Sequence, residues 1–108
     1  MANKNKNRGT NGENYIVGRF AKADLISKRT WGSDGRSMGY AKEVDVVMRR
    51  KNSPLWKWFF QIKKRKSIAS YFYPPEGTSA TIVKQDYKEP LVILYLEDFI
   101  ELVKNQKD

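Results

Sequence analysis

Two strand-forming segments joined by a tight turn constrain this chain more than anything else in it. The first, EVDVVMRR (Glu43 to Arg50), alternates: Glu43, Asp45 and Val47 share one face, Val44, Val46 and Met48 the other. The second, Leu55 to Lys63, is bulky on both faces, as a central strand of a sheet is. Between them KNSP (Lys51 to Pro54) has the chemistry of a turn. The pair predicts an antiparallel hairpin. Within it Trp56 and Trp58 share a face with Phe60 and Ile62 and are expected in the core rather than stacked on bases.

The flanking segments complete a small α/β pattern. Residues 1–11 are polar and basic with no apolar period, which predicts a flexible basic arm ahead of a single domain over 12–108. Gly12 to Ala23 carries a weak helical stripe, with Glu13 in a first turn where a carboxylate suits the helix dipole. Leu25 to Thr30 reads as a short strand, and Trp31 to Gly39 as a Gly/Ser-rich loop. Ser67 to Tyr73 reads as a short helix stopped by Pro74 and Pro75. Thr81 to Lys84 and the apolar Leu91 to Leu96 read as strands, the latter buried. Glu97 to Asn105 closes as an amphipathic helix, acidic at its start and basic at its end. The first three strands predict a meander and the step after Lys63 a crossover. The expected fold is α/β, a small central mixed β-sheet flanked by helices.

Composition narrows the chemistry. With no Cys and no His, disulfides, ordinary structural zinc sites, thiol nucleophiles and Ser-His-Asp triads are excluded. What remains is carboxylates, Lys, Arg, Tyr and Ser, to which a carboxylate-held hard cation is the natural addition. The net charge of +9 is uneven. Residues 1–66 carry 17 Lys and Arg against 5 Asp and Glu, and residues 67–108 carry 4 against 7. A basic part beside a mildly acidic one points to a polyanion, nucleic acid first. The apolar runs are too short for a membrane span and no signal segment is evident, so an intracellular, cytoplasmic chain with no membrane partner is expected.

Three polar residues stand out. Asp45 lies among valines; Gln61 and Lys63 end the most apolar strand and, two apart, project to one face. If the strands pair through KNSP, an Asp, an amide and a Lys converge at one sheet edge. Asp45 is then a hard ligand for Mg²⁺, with the Gln61 side-chain oxygen or the Ile62 carbonyl as a neutral one. Lys63 can orient water or offset charge on a pentacovalent phosphate. The bland alternative is that strand ends often carry polar residues.

The pattern Asp45…Gln61-Ile62-Lys63 resembles the PD-(D/E)XK nuclease core, and the chain as a whole resembles the Holliday junction resolvases of archaea and their phage-encoded relatives. Arg8-Gly9 followed by Glu13, Arg29 before GSDGRS (Gly32 to Ser37), EVDVV, QIKKRKS, and Gly77 to Val103 carry the likeness in order. The resemblance implies a restriction-endonuclease-like fold and a single nuclease domain. It implies Glu13 and Asp45 holding Mg²⁺ (Mn²⁺ as substitute), Gln61 where the family has Glu, and Lys63 as the catalytic Lys. It implies Arg8, Arg29 and Ser33 on backbone phosphate; on this reading Arg36, Lys64, Arg65 and Lys66 also contact the DNA, the last three lining its path, while the bland alternative for those three is a solvated face. It further implies a homodimer that nicks branched double-stranded DNA in pairs, in a host cytoplasm if phage-encoded. Gln61 removes one negative charge from the metal site, for which Glu13 or Glu43 would compensate, and Pro74-Pro75 departs from the family's dimerisation helix. Two alternatives stay open: a DNA-binding module of the same fold with a decayed site, and a monomeric nicking or repair nuclease.

Overall fold

The computed structural model describes residues 4–30 and 34–106. They form two compact units divided between Lys64 and Arg65.

The first unit opens with helix α1 (Lys4–Lys22). Seven-residue spacing puts Glu13 and Phe20 on one helical face, and both are buried. The helix ends where Asp24 takes a left-handed backbone (φ 65°), which redirects the chain into strand β1 (Leu25–Arg29). Strands β2 (Val46–Arg50) and β3 (Lys57–Phe60) follow, and the order β1-β2-β3 is antiparallel throughout. The register aligns Arg29 with Val46 and Val46 with Phe60. Residues opposite one another share a face, so Leu25, Ser27, Arg29, Val46, Met48, Trp58 and Phe60 lie on the α1 side. There the Phe20 ring packs 5.6 Å from the Phe60 ring. Phe20, Leu25, Val46 and Met48 make the core, each worth roughly 1.5–3 kcal/mol of transfer free energy. A 3-10 turn (Gly35–Met38) links β1 to β2. Gly35 is required there: a Cβ would run into the Ala41 carbonyl oxygen and sit 2.9 Å from the Val44 Cβ.

The second unit holds a single 3-10 turn (Ser70–Phe72), the antiparallel hairpin of β4 (Thr81–Val83) and β5 (Leu91–Ile93), and helix α2 (Leu96–Lys104). Glu97 and Asp98 stand in the first turn of α2 and Lys104 in the last, matching the helix dipole. Ile100 and Val103 are its buried residues.

The α/β class and the three-stranded meander agree with expectation; the rest of the architecture differs. There are two separate antiparallel sheets among the described residues, one in each unit, not one mixed sheet. Local periodicity identifies a strand without naming its neighbour. The helix starts at Lys4, so residues 4–11, expected as an arm, are helical. β2 is the central strand and β3 the edge. Trp56 and Trp58, expected as core, are 62% and 41% exposed, because an edge strand has a neighbour on one side only. The Ser67–Tyr73 helix shrinks to one 3-10 turn. Leu91 and Val92 of the strand expected to be buried are exposed, because a two-stranded hairpin covers little of its own surface.

Candidate functional site

The chemistry gathers at the end of the first sheet where Arg29, Val46 and Phe60 align. Glu13 occupies a core position on α1, and an unpaired carboxylate there would be costly. Arg29 Nε donates to Glu13 Oε1 at 3.0 Å. The pair is asymmetric: the acid side chain is 4% exposed and the base 33%. Arg29 Nη1 also donates to Asn14 Oδ1 at 3.4 Å.

Asp45 precedes β2 and is buried. Its backbone N–H donates to the Phe60 carbonyl at 2.8 Å, one residue off the ladder register. The backbone carbonyl of Asp45 accepts from Thr30 N–H at 2.9 Å, and the Thr30 hydroxyl donates to the Val44 carbonyl at 2.8 Å. With the ladder shifted, Asp45 Oδ2 takes over as acceptor for the Ile62 N–H, at 2.7 Å. Its other carboxylate oxygen accepts no hydrogen bond among the described residues.

This bond places residues 61–63 beside Asp45. Gln61 and Lys63 are exposed and flank half-buried Ile62. Helix α1 lies directly against the same segment: a Cβ on Gly12 would sit 3.1 Å from Lys64 Cβ and 3.6 Å from Ile62 Cγ2. Thus Glu13, Asp45, Gln61, Ile62, Lys63 and Lys64 come from three segments to one end of the sheet. Glu13 meets Arg29 there, and Asp45 meets the Ile62 amide.

The other expected residues are placed differently. Ser33 lies outside the described residues, as does the Arg8 side chain, although its backbone belongs to α1. Arg65 and Lys66 belong to the second unit. Arg36 is engaged by Asp34: its Nη2 donates to Oδ2 at 2.7 Å and its Nε to Oδ1 at 3.1 Å. That side-chain bond, with the Arg36 backbone N–H, holds the Asp34 carboxyl below its ordinary range and raises the guanidinium's pKa in turn. Glu43 is exposed. Sequence reading missed Gly12 and Thr30. A Gly inside a helix beside a carboxylate was the available signal for the first, because it permits close backbone approach.

Among the described residues no group of three His, Cys, Asp or Glu could hold a metal ion. The donors fit a hard cation in part. Asp45 has an oxygen to spare and exposed Gln61 adjoins the Ile62 whose amide Asp45 accepts, while Glu13 would have to leave Arg29. No described helix is long and apolar enough to cross a membrane. Comparison with family models, with curated proteins and with solved structures gives no match.

Proposed function

We propose that this chain is a Mg²⁺-dependent, structure-specific DNA endonuclease that nicks branched duplexes, four-way junctions first, as a homodimer in the manner of the resolvases it resembles. One observation carries the reading. Two buried carboxylates, Glu13 and Asp45, stand at the same sheet end as the exposed Gln61–Lys63 segment, on a chain of net charge +9. Buried acids beside exposed cations serve phosphodiester chemistry better than they serve stability. Asp45, with the Gln61 side-chain oxygen or the Ile62 carbonyl, would hold the cation, which when bound lowers the pKa of a water and offsets phosphate charge. Lys63 stands free to offset charge on the phosphate as water attacks phosphorus and the P–O bond to the leaving sugar breaks. Arg29 holds the second carboxylate, Glu13, by a 3.0 Å hydrogen bond, so Glu13 would join the cation only by exchanging that contact.

The test is cleavage of labelled four-way junctions with and without Mg²⁺, repeated with Lys63→Ala. The expected result is metal-dependent paired nicking that the substitution abolishes. Absence of cutting on any branched DNA, or undiminished cutting by the variant, overturns the proposal.

A second reading is favoured by the Glu13–Arg29 pair, which turns one carboxylate away from a cation. On it the chain is a DNA-binding module with a decayed metal site. Salt-sensitive junction binding without cutting, and cutting gained by Gln61→Glu, would establish it.

A further inference from the structure

The sheet face opposite α1 carries a second feature that the site above does not use. It holds a groove of about 300 Å³, floored by Ile26 and Val47 and edged by Met38 and Tyr40. Among the described residues three cations line it, Lys28, Arg49 and Lys57, and no carboxylate does. Arg49 and Lys57 stand directly opposite one another on β2 and β3, an arrangement that destabilises a sheet unless an anion lies between them. Lys28 faces the same side from β1, opposite Val47. Among the described residues no ion pair engages any of the three. Arg49 Nη1 donates to the carbonyls of Arg50 and Lys51, at 3.2 and 3.3 Å, which holds the guanidinium at its end of the groove. The Tyr40 ring is set by Phe59, 5.0 Å away and tilted by 59°.

We propose that this groove binds one nucleotide unit. Its phosphate lies among Lys28, Arg49 and Lys57, and its base lies against Tyr40 and the apolar floor. Charge complementarity selects the anion. The aromatic and aliphatic surface beside the cations selects a phosphate that carries a flat apolar group, the combination by which proteins hold single strands. The volume matches a small ligand and excludes a duplex, whose stacked bases offer no free face. The site is on the other side of the sheet from Glu13, so it does not rest on the nuclease reading.

The full chain, labelled with ¹⁵N, is titrated with inorganic phosphate, deoxyadenosine 5′-monophosphate, a short oligothymidylate and a short duplex. The expected result is a set of amide shifts centred on Ile26, Tyr40, Val47 and Lys57 with the mononucleotide or the single strand. Saturation by the mononucleotide identifies a free nucleotide as the ligand, and saturation by the oligomer alone identifies a strand. The double charge reversal Lys28→Glu/Lys57→Glu, both at exposed positions, weakens that binding about tenfold or more, while Tyr40→Ala weakens the base-bearing ligands and leaves inorganic phosphate unchanged. Thermal unfolding of each variant separates lost binding from lost fold. Equal affinity for inorganic phosphate and the nucleotides, preference for duplex, shifts centred on Gln61 and Lys63 instead of the groove, or no binding, overturns the proposal. Because the readout is binding without metal, its failure is distinct from a failure to cut junctions.

Discussion

The two units differ in how much apolar surface they hide. Residues 1–64 bury Phe20, Leu25, Val44, Val46, Val47 and Met48; residues 65–107 bury Ile100 and Val103 among their hydrophobics and leave Ile82, Leu91, Val92 and Leu102 exposed. A helix laid across a three-stranded sheet encloses a core, whereas a two-stranded hairpin has no second layer of its own. The first unit can therefore hold a buried acid such as Glu13 against water, and that is where the candidate site lies.

The sharpest way to break this comparison is truncation in both places. Phe20→Ala is expected to cost about 3–5 kcal/mol in urea unfolding, and Ile82→Ala less than about 0.5 kcal/mol. Equal losses would show that the hairpin is as firmly packed as the helix-covered sheet. Next in size is Arg29→Ala, which removes the Arg29 hydrogen bond from the buried Glu13 carboxylate. Loss of a buried pair's partner costs about 3–5 kcal/mol, and the one-third exposure of Arg29 reduces that to about 2 kcal/mol. The double variant Arg29→Ala/Glu13→Gln should recover part of it, and a missing recovery would remove the pair from the first unit's account. Ser27→Ala has the opposite sign. The Ser27 hydroxyl is buried with no hydrogen-bond partner among the described residues, so its removal should stabilise by about 1 kcal/mol, read as a raised midpoint in urea. The smallest effect belongs to Asp34. Because Arg36 lowers its folded pKa, its contribution is complete above the unfolded carboxylate pKa and fades as pH falls through the folded one. A carboxyl NMR titration should place Asp34 below an ordinary aspartate, and Arg36→Ala, which keeps the backbone N–H bond, should return it only part of the way.

Local patterns announced some of this structure and were silent on the rest. The alternation at Glu43–Arg50 and the turn at Lys51–Pro54 specify the hairpin, and the polar ends of Glu97–Asn105 specify α2 to within one residue. Lys4 to Asn11 have no apolar period, so nothing in them signalled that α1 continues through them. Consecutive aromatics at Trp58, Phe59 and Phe60 look alike in a central strand and in an edge strand, since only the partner strand decides. Asp45 was legible as a carboxylate among valines. Its bond to Ile62 and the pairing of Glu13 with Arg29 were not, because each joins residues sixteen or seventeen positions apart. The far-side groove needed the register of three strands before its cations could be seen to meet.

The bond between Asp45 and the Ile62 amide has one more consequence. A cation held at the spare carboxylate oxygen would draw on the same charge that holds that N–H, so ligation at Asp45 and the anchoring of Lys63 would be coupled. The Ile62 amide is thereby a resident spectator of the carboxylate: its proton shift and its exchange with solvent would register any such ligation without a cleavage assay.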